Sequence, residues 1–218
     1  FNVTGYKYIS ANFTSVYNDV MSSGTSNTNP VQFGGSVALG GTSIDFTTGT
    51  LGFGTTMDCA ITGSGFFVLA RSSAASSSEK VYTRAGAFAL DFSGQFLVDN
   101  AFGRQVFGYE LNEDGSRKSE DLVPIQTNGE TDIGFIDGGI LVKNFAAQTT
   151  DINNAVADGE VRSHVPMYQL AMTTFRNQQG LIQETGGAFR ASNASGEPVE
   201  FGTSNEGTFG TVLAQQLE

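Results

Sequence analysis

Cys59 is the only cysteine and His164 the only histidine among 218 residues. With a carboxylate such as Asp58 they supply the residue types of a thiol hydrolase, in which an imidazole takes the thiol proton and an acid orients the imidazole. Asp58-Cys59-Ala60-Ile61, however, reads as part of a strand, where a small buried cysteine is the common occupant. His164 precedes Val165-Pro166 at a strand entrance and reads as an ordinary surface histidine. One cysteine and one histidine leave no disulfide framework, no thiolate zinc site and no histidine cluster. Gly40-Gly41-Thr42-Ser43-Ile44-Asp45-Phe46-Thr47 partly matches one turn of a calcium-binding nonapeptide repeat, but a single copy has no successive turn to close around an ion. Asn112-Glu113-Asp114-Gly115 resembles the start of an EF-hand loop and lacks the later bidentate acid and the flanking helices. Gly63-Ser64-Gly65 has neither the Lys-Ser/Thr of a phosphate loop nor the spacing of a nucleophile elbow. The expectation is a chain that is not an enzyme, with no catalytic, cofactor-binding or metal residues and no cofactor.

The elements that carry these residues read as mostly β. Twenty-eight Gly, 18 Phe, only 4 Pro and no Trp, with abundant Ser and Thr, describe many short strands joined by tight turns. With 39% hydrophobic and 15% charged residues, the chain can bury a sizeable core. A formal charge of −11 argues against nucleic acid and anionic membrane as partners, and no stretch approaches the ~20 apolar residues of a membrane span.

Ile9, Phe13, Val16 or Tyr17, and Val20 recur at spacings of three and four, which predicts a short amphipathic helix over 8–22. A polar arm from Ser22 to Pro30 follows. The period then becomes two at Val37/Leu39, Ile44/Phe46 and Leu51/Phe53, as in a meander. Phe66-Phe67-Val68-Leu69-Ala70 is continuously apolar and predicts a central strand covered on both faces. Strand patterns near Val81, Phe88, Phe96 and Val106, about ten residues apart, predict a β-sandwich or barrel-like domain. Phe66, Phe67, Val68, Leu69, Phe88 and Phe96 are expected in one core. Asn112 to Asp121 is expected to be exposed, and Val165 to Phe175 to form one long strand. The expected organisation is a border segment over 1–30 and a β-rich core over 31–218, with a small subdomain or excursion within 105–160.

Several segments, in order, carry a resemblance. Asn2-Val3-Thr4-Gly5-Tyr6-Lys7 resembles an N-terminal signature, Asp45-Phe46-Thr47-Thr48-Gly49-Thr50-Leu51 an Asp-Phe-Thr-x-Gly-x-Leu segment. Asp58-Cys59-Ala60-Ile61-Thr62-Gly63-Ser64-Gly65-Phe66-Phe67 and Tyr82-Thr83-Arg84-Ala85-Gly86-Ala87-Phe88 are similar to a central motif. Phe175-Arg176-Asn177-Gln178-Gln179-Gly180-Leu181 and Ser195-Gly196 are similar to a closing one. Together these resemble the bacterial flagellar axial proteins, the rod and hook subunits. The resemblance implies a β-rich domain between terminal helices that pack as a coiled coil lining a tube. It also implies export through the flagellar type III pathway, residence in the hook or basal body, and self and neighbouring axial proteins as partners. Both helices are expected to be absent from this chain, which opens at Phe1 and ends at Leu217-Glu218, and the fragment is expected to be monomeric. Gln105-Val106-Phe107-Gly108-Tyr109-Glu110 resembles the hook subunit's continuation, with distal or proximal rod as the near alternative. An extracellular β-rich binding or adhesin module is the reading from a different class.

Overall fold

The computed structural model describes residues 7–22, 31–72, 79–146 and 164–218. The chain divides into a unit of Lys7–Phe46 and a unit that begins at Thr47 and runs to Glu218. The fold is mostly β, as its composition predicts.

The smaller unit is a ribbon of two strands, β1 (Ile9–Ser22) and β2 (Val31–Ile44), paired antiparallel. The helix expected over 8–22 is therefore wrong. Ser10, Asn12, Thr14, Ser15, Val16, Tyr17, Asn18 and Val20 are mediocre helix formers, and a strand of equal length downstream offers a pairing partner along the whole segment. Register shifts at Asn12/Phe13, Ser15/Tyr17, Tyr17/Asn18 and Val20/Ser22 interrupt the period of two, and the apolar spacing imitates a helix as a result. The meander reading fails for the same reason: Val37, Leu39 and Ile44 belong to one long strand. The ribbon joins β2 to β1, so the boundary between units falls after Phe46 and not at residue 30. Residues 23–30 of the arm lie outside the described residues.

The described residues of the larger unit form seventeen strands. β3 (Gly52–Phe53), β4 (Cys59–Thr62), β5 (Phe66–Ala70), β6 (Val81–Thr83), β7 (Phe88–Leu90) and β8 (Leu97–Asp99) precede β9 (Gln105–Glu110). β10 (Val123–Pro124), β11 (Ile133–Ile136), β12 (Ile140–Lys143), β13 (Val165–Leu170) and β14 (Met172–Thr173) follow. β15 (Ile182–Gln183), β16 (Ala188–Arg190), β17 (Phe201–Gly202), β18 (Thr211–Ala214) and β19 (Gln216–Leu217) close the chain. The main antiparallel sheet runs β11-β12-β13-β9-β5-β6-β16-β15, while β18 pairs with β4 and β19 with β3. β9 to β12 belong to this sheet, and no separate subdomain forms among the described residues from 105 to 146.

Every residue of β5 is buried, as its unbroken apolar run predicts. Neighbouring side chains on a strand point to opposite faces, so Phe66 and Phe67 serve two layers. Phe67 and Leu69 join Phe88, Leu97, Val106, Phe135, Leu141, Leu170, Met172 and Val212 in the larger core, with Phe67 edge-on to Phe88 at 5.3 Å. Phe66 packs edge-on against Phe175 and Phe189 at 5.9 and 6.0 Å on the other side, where Tyr82 meets Phe175 at 4.8 Å. The single core expected from sequence is thus two layers sharing one sheet. Phe96 is only half-buried, in an isolated bridge to Gln126.

The long strand expected over 165–175 breaks at Ala171. β13 pairs with β12 and β9, whereas β14 pairs with β5 and β17, so the chain changes partners there. Ala171 spans the change by donating its N–H to Phe107 O.

Candidate functional site

Arg84 follows β6 directly and is 2% exposed, a position that demands a full set of partners for its charge. Its Nη1 donates to Gly63 O at 2.9 Å and to Gly65 O at 3.0 Å, and its Nη2 to Ile61 O at 3.1 Å. These carbonyls belong to the end of β4 and the turn into β5. Gly63 and Gly65 shape that turn with φ of 95° and 135°, values that L side chains avoid, and so aim successive carbonyls at one guanidinium. Nη2 also reaches Thr48 Oγ1 at 3.4 Å, and Gly63 N–H donates to the same oxygen at 3.3 Å. Glu218, its side chain 5% exposed, brings Oε2 to 3.8 Å from Arg84 Nε. Burial pulls the guanidinium pKa below its ordinary value and the Glu218 charge opposes that pull.

The rest of the central motif supports this knot. Asp58 Oδ2 accepts the Thr55 N–H at 2.6 Å, and the Cys59 N–H donates to Gly86 O at 2.9 Å. A Cβ on Gly86 would stand 1.7 Å from Cys59 O, so this crossing of two backbones admits only glycine. Thr83 Oγ1 donates to Gly187 O at 3.0 Å and accepts the Ala85 N–H at 3.0 Å, tying β6 to the turn before β16. Ala60, Ile61, Phe66, Phe67, Tyr82 and Phe88 fill the space between these anchors.

The closing motif forms a second knot. Asn177 Nδ2 donates to Ala194 O at 3.0 Å, and Ser192 Oγ to Gly180 O at 2.6 Å. A Cβ on Gly180 would lie 2.4 Å from Ser195 N, again backbone against backbone. Ser195 and Leu181 are buried, Ser195 Oγ donates to Ser192 O at 3.1 Å, and Gly196 takes φ of 73°. Phe175 enters the aromatic layer with Phe66 and Tyr82. Of the remaining motif residues, Gly49 donates its N–H to Glu218 Oε1. Lys7 is buried, Asp45 exposed and Phe46 half-buried in the smaller unit, and Gly5 lies outside the described residues.

The residues with chemical potential form no catalytic hydrogen-bond chain among the described residues. Cys59 is fully buried on β4, and burial first, then the charges of Asp58 and Asp137, raises its thiol pKa well above the ordinary value. A nucleophilic cysteine needs the opposite shift. His164 stacks on Phe145 with centroids 5.7 Å apart and planes 4° from parallel. No hydrogen bond joins Cys59 and His164. Asn112 to Ser116 closes as a tight turn: Asp114 Oδ1 accepts from Ser116 N at 2.8 Å and from its hydroxyl, and Asn112 Nδ2 donates to Ser116 Oγ at 2.9 Å. This acidic excursion is exposed as expected, apart from half-buried Arg117, which stacks over Tyr109 at 4.6 Å and bonds Glu206. Among the described residues no group of three or more His, Cys, Asp or Glu is placed to hold a metal ion, and no helix is long and apolar enough to cross a membrane.

The residue type at 84 was visible in the motif, but its role as the hub was not, nor was the part played by Thr48 and Glu218. The available signal was an arginine set between apolar Val81-Tyr82 and the small residues Ala85-Gly86-Ala87. No protein-family model matches the chain, and no curated protein matches it. The arrangement as a whole can position backbone and resist deformation, because the charges at its centre face protein atoms.

Proposed function

We propose that this chain is a structural subunit of the bacterial flagellar hook or rod, with the hook slightly favoured over the distal rod. In this reading it polymerises into a helical tube that transmits motor torque and forms the export channel. The observation that carries the proposal is the β1–β2 ribbon. Two-stranded ribbons are at best marginally stable in water on their own. Here Ile9 stands opposite Ile44 and Phe13 opposite Leu39, with Phe13 71% and Leu39 58% exposed. Cross-strand apolar pairs of this kind gain from being covered, and a neighbouring subunit in a helical array is a cover that repeats without closing. The two knots supply the complementary property. Torque has to pass through a subunit whose interior holds its shape, and close backbone crossings at Gly86 and Gly180 leave little room for deformation.

The resemblance of the motif segments to axial proteins supports the same reading. A β-rich binding or adhesin module remains the alternative, and a groove of exposed aromatics would favour it. Phe92 and Phe102, both exposed, sit instead in the turns at opposite ends of β8. Electron microscopy of cells lacking the protein tests the proposal. Structures arrested at the rod or at the hook are expected, and normal flagella would refute it. Light scattering of residues 1–218 is expected to give about one chain's mass. A stable closed dimer would favour the binding module.

A further inference from the structure

Asn128-Gly129 is the single Asn-Gly pair in the chain, and its surroundings single it out chemically. The two residues occupy the centre of a turn closed by the Glu130 N–H donating to Thr127 O at 2.9 Å. Both take left-handed dihedrals, with φ of 51° and 81°, the conformation that Asn-Gly favours in tight turns. Both are exposed. Neither the Asn128 carboxamide nor the Gly129 N–H is held by a hydrogen bond among the described residues. A Cβ on Gly129 would meet nothing within 4 Å, so solvent has open access.

We propose that Asn128 is the site at which this protein deamidates, with water as the only co-reactant, leaving aspartate or isoaspartate in the turn. Hydroxide removes the Gly129 amide proton, and that nitrogen attacks Asn128 Cγ. The new C–N bond closes a five-membered imide while the carboxamide nitrogen takes a proton from water and leaves as ammonia. Hydroxide then opens the ring at either carbonyl. One opening gives aspartate. The other gives isoaspartate, in which the main chain runs through the former side chain and is one methylene longer. No atom changes oxidation state. Glycine favours the attack because no side chain crowds the nitrogen.

Other asparagines with accessible turn geometry lack part of this combination. Asn205 has φ of 61° but is followed by Glu206, and its Oδ1 accepts from Thr211 Oγ1 at 2.6 Å. Asn144 has φ of 59° and is followed by Phe145, and Asn112 is held by Ser116 and followed by Glu113. The consequence is local and directional. Thr127 is fully buried, donates its N–H to Gln95 O and its hydroxyl to Gly94 O, both at 2.8 Å, and so pins one end of the turn to the loop between β7 and β8. Three residues past Glu130 the chain is committed to β11. A main chain lengthened between two fixed points must displace one of them, whereas aspartate adds only charge. The product also suits enzymes that methylate isoaspartyl carboxylates with S-adenosylmethionine, because the new carboxylate is exposed.

The test incubates the folded 218-residue chain in mildly alkaline buffer and follows it by peptide mapping with mass spectrometry and by ammonia release. Deamidation is expected at Asn128 faster than at any other asparagine by about tenfold or more, since only there is the attacking nitrogen uncrowded. Asn128→Gln is expected to remove the fast phase of ammonia release while leaving the melting temperature of fresh protein unchanged. Isomerisation at Asp114-Gly115 or Asp137-Gly138 keeps the mass unchanged and releases no ammonia, which separates it from this reaction. An intact Asn128 after other asparagines have reacted, or a fast phase that survives in Asn128→Gln, would overturn the proposal. Aged protein enriched in isoaspartate is expected to melt lower than Asn128→Asp, and equal melting would refute the displacement argument.

Discussion

Replacing Arg84 with Met keeps much of the side-chain length and removes every donor. The carbonyls of Ile61, Gly63 and Gly65 then lose their shared partner, and Glu218 loses the cation 3.8 Å away. A hydrogen bond to a charged group is worth about 1.5–3 kcal/mol, and breaking a buried ion pair from one side costs about 3–5 kcal/mol. These figures overlap because the same guanidinium serves both, so they do not add. Arg84 and Glu218 are 2% and 5% exposed, which leaves little solvent to repair the loss. The expected cost is about 3–5 kcal/mol, against about 5–15 kcal/mol for a whole domain. Urea unfolding followed by circular dichroism measures it, with an unchanged slope as the check that the unfolded state is the same. Arg84→Lys is expected to recover only part of the loss, because an ammonium cannot present a planar fork to three converging carbonyls. Adding Glu218→Gln to Arg84→Met should return the part due to the stranded carboxylate, and the remainder belongs to the carbonyls. Free guanidinium at concentrations far below denaturing is expected to raise the melting temperature of Arg84→Ala and not of the parent. A cost for Arg84→Met below about 1 kcal/mol, the worth of an ordinary hydrogen bond, would refute the account of this knot.

Phe67→Ala, at a fully buried site edge-on to Phe88, is expected to cost about 3–5 kcal/mol in the same urea assay. Gly86→Ala is expected to cost more than about 3 kcal/mol, because its Cβ meets the Cys59 backbone, whereas Gly52→Ala, with nothing nearby, should stay within about 0.5 kcal/mol. The Glu206 carboxyl is held below its ordinary pKa chiefly by the Arg117 hydrogen bond, and those of Asp91 and Asp114 by bonds to backbone and serine donors. Their contribution is present above the ordinary carboxylate range and is lost as pH falls through the lowered values, so acid melts of Glu206→Gln should fall less steeply than those of the parent. The Cys59 thiol is raised, so above its ordinary pKa the unfolded chain ionises first and stability declines as pH rises. A thiol reagent at neutral pH should therefore label Cys59 only at the rate of unfolding, and rapid labelling of the native protein would contradict its burial.

Local pattern determined a great deal about this protein. The continuous apolar run at 66–70 could only be satisfied by burial on both faces, and the strand there is buried throughout. Glycine and threonine between short apolar pairs specified a mostly β chain, because such residues favour turns and extended backbone over helix. The acidic turn after Asn112 was legible for a similar reason: its bonds join residues two to four apart. Partners distant in sequence decided the rest. Whether 9–22 becomes helix or strand depends on β2, whose pairing across twelve registered positions outweighs a helical spacing of four apolar residues. Where the strand from Val165 ends depends on β5 and β9 competing for it, which no window around Ala171 contains. Arg84 looks in sequence like one more surface charge. Only the folded chain brings residues 48, 61, 63, 65 and 218 around it, and only there do the dihedrals of Gly63 and Gly65 turn three carbonyls toward one cation. Composition sets what must be buried, whereas the identity of a buried charge's partners is a property of tertiary geometry, because desolvation makes each missing partner costly and leaves no local substitute.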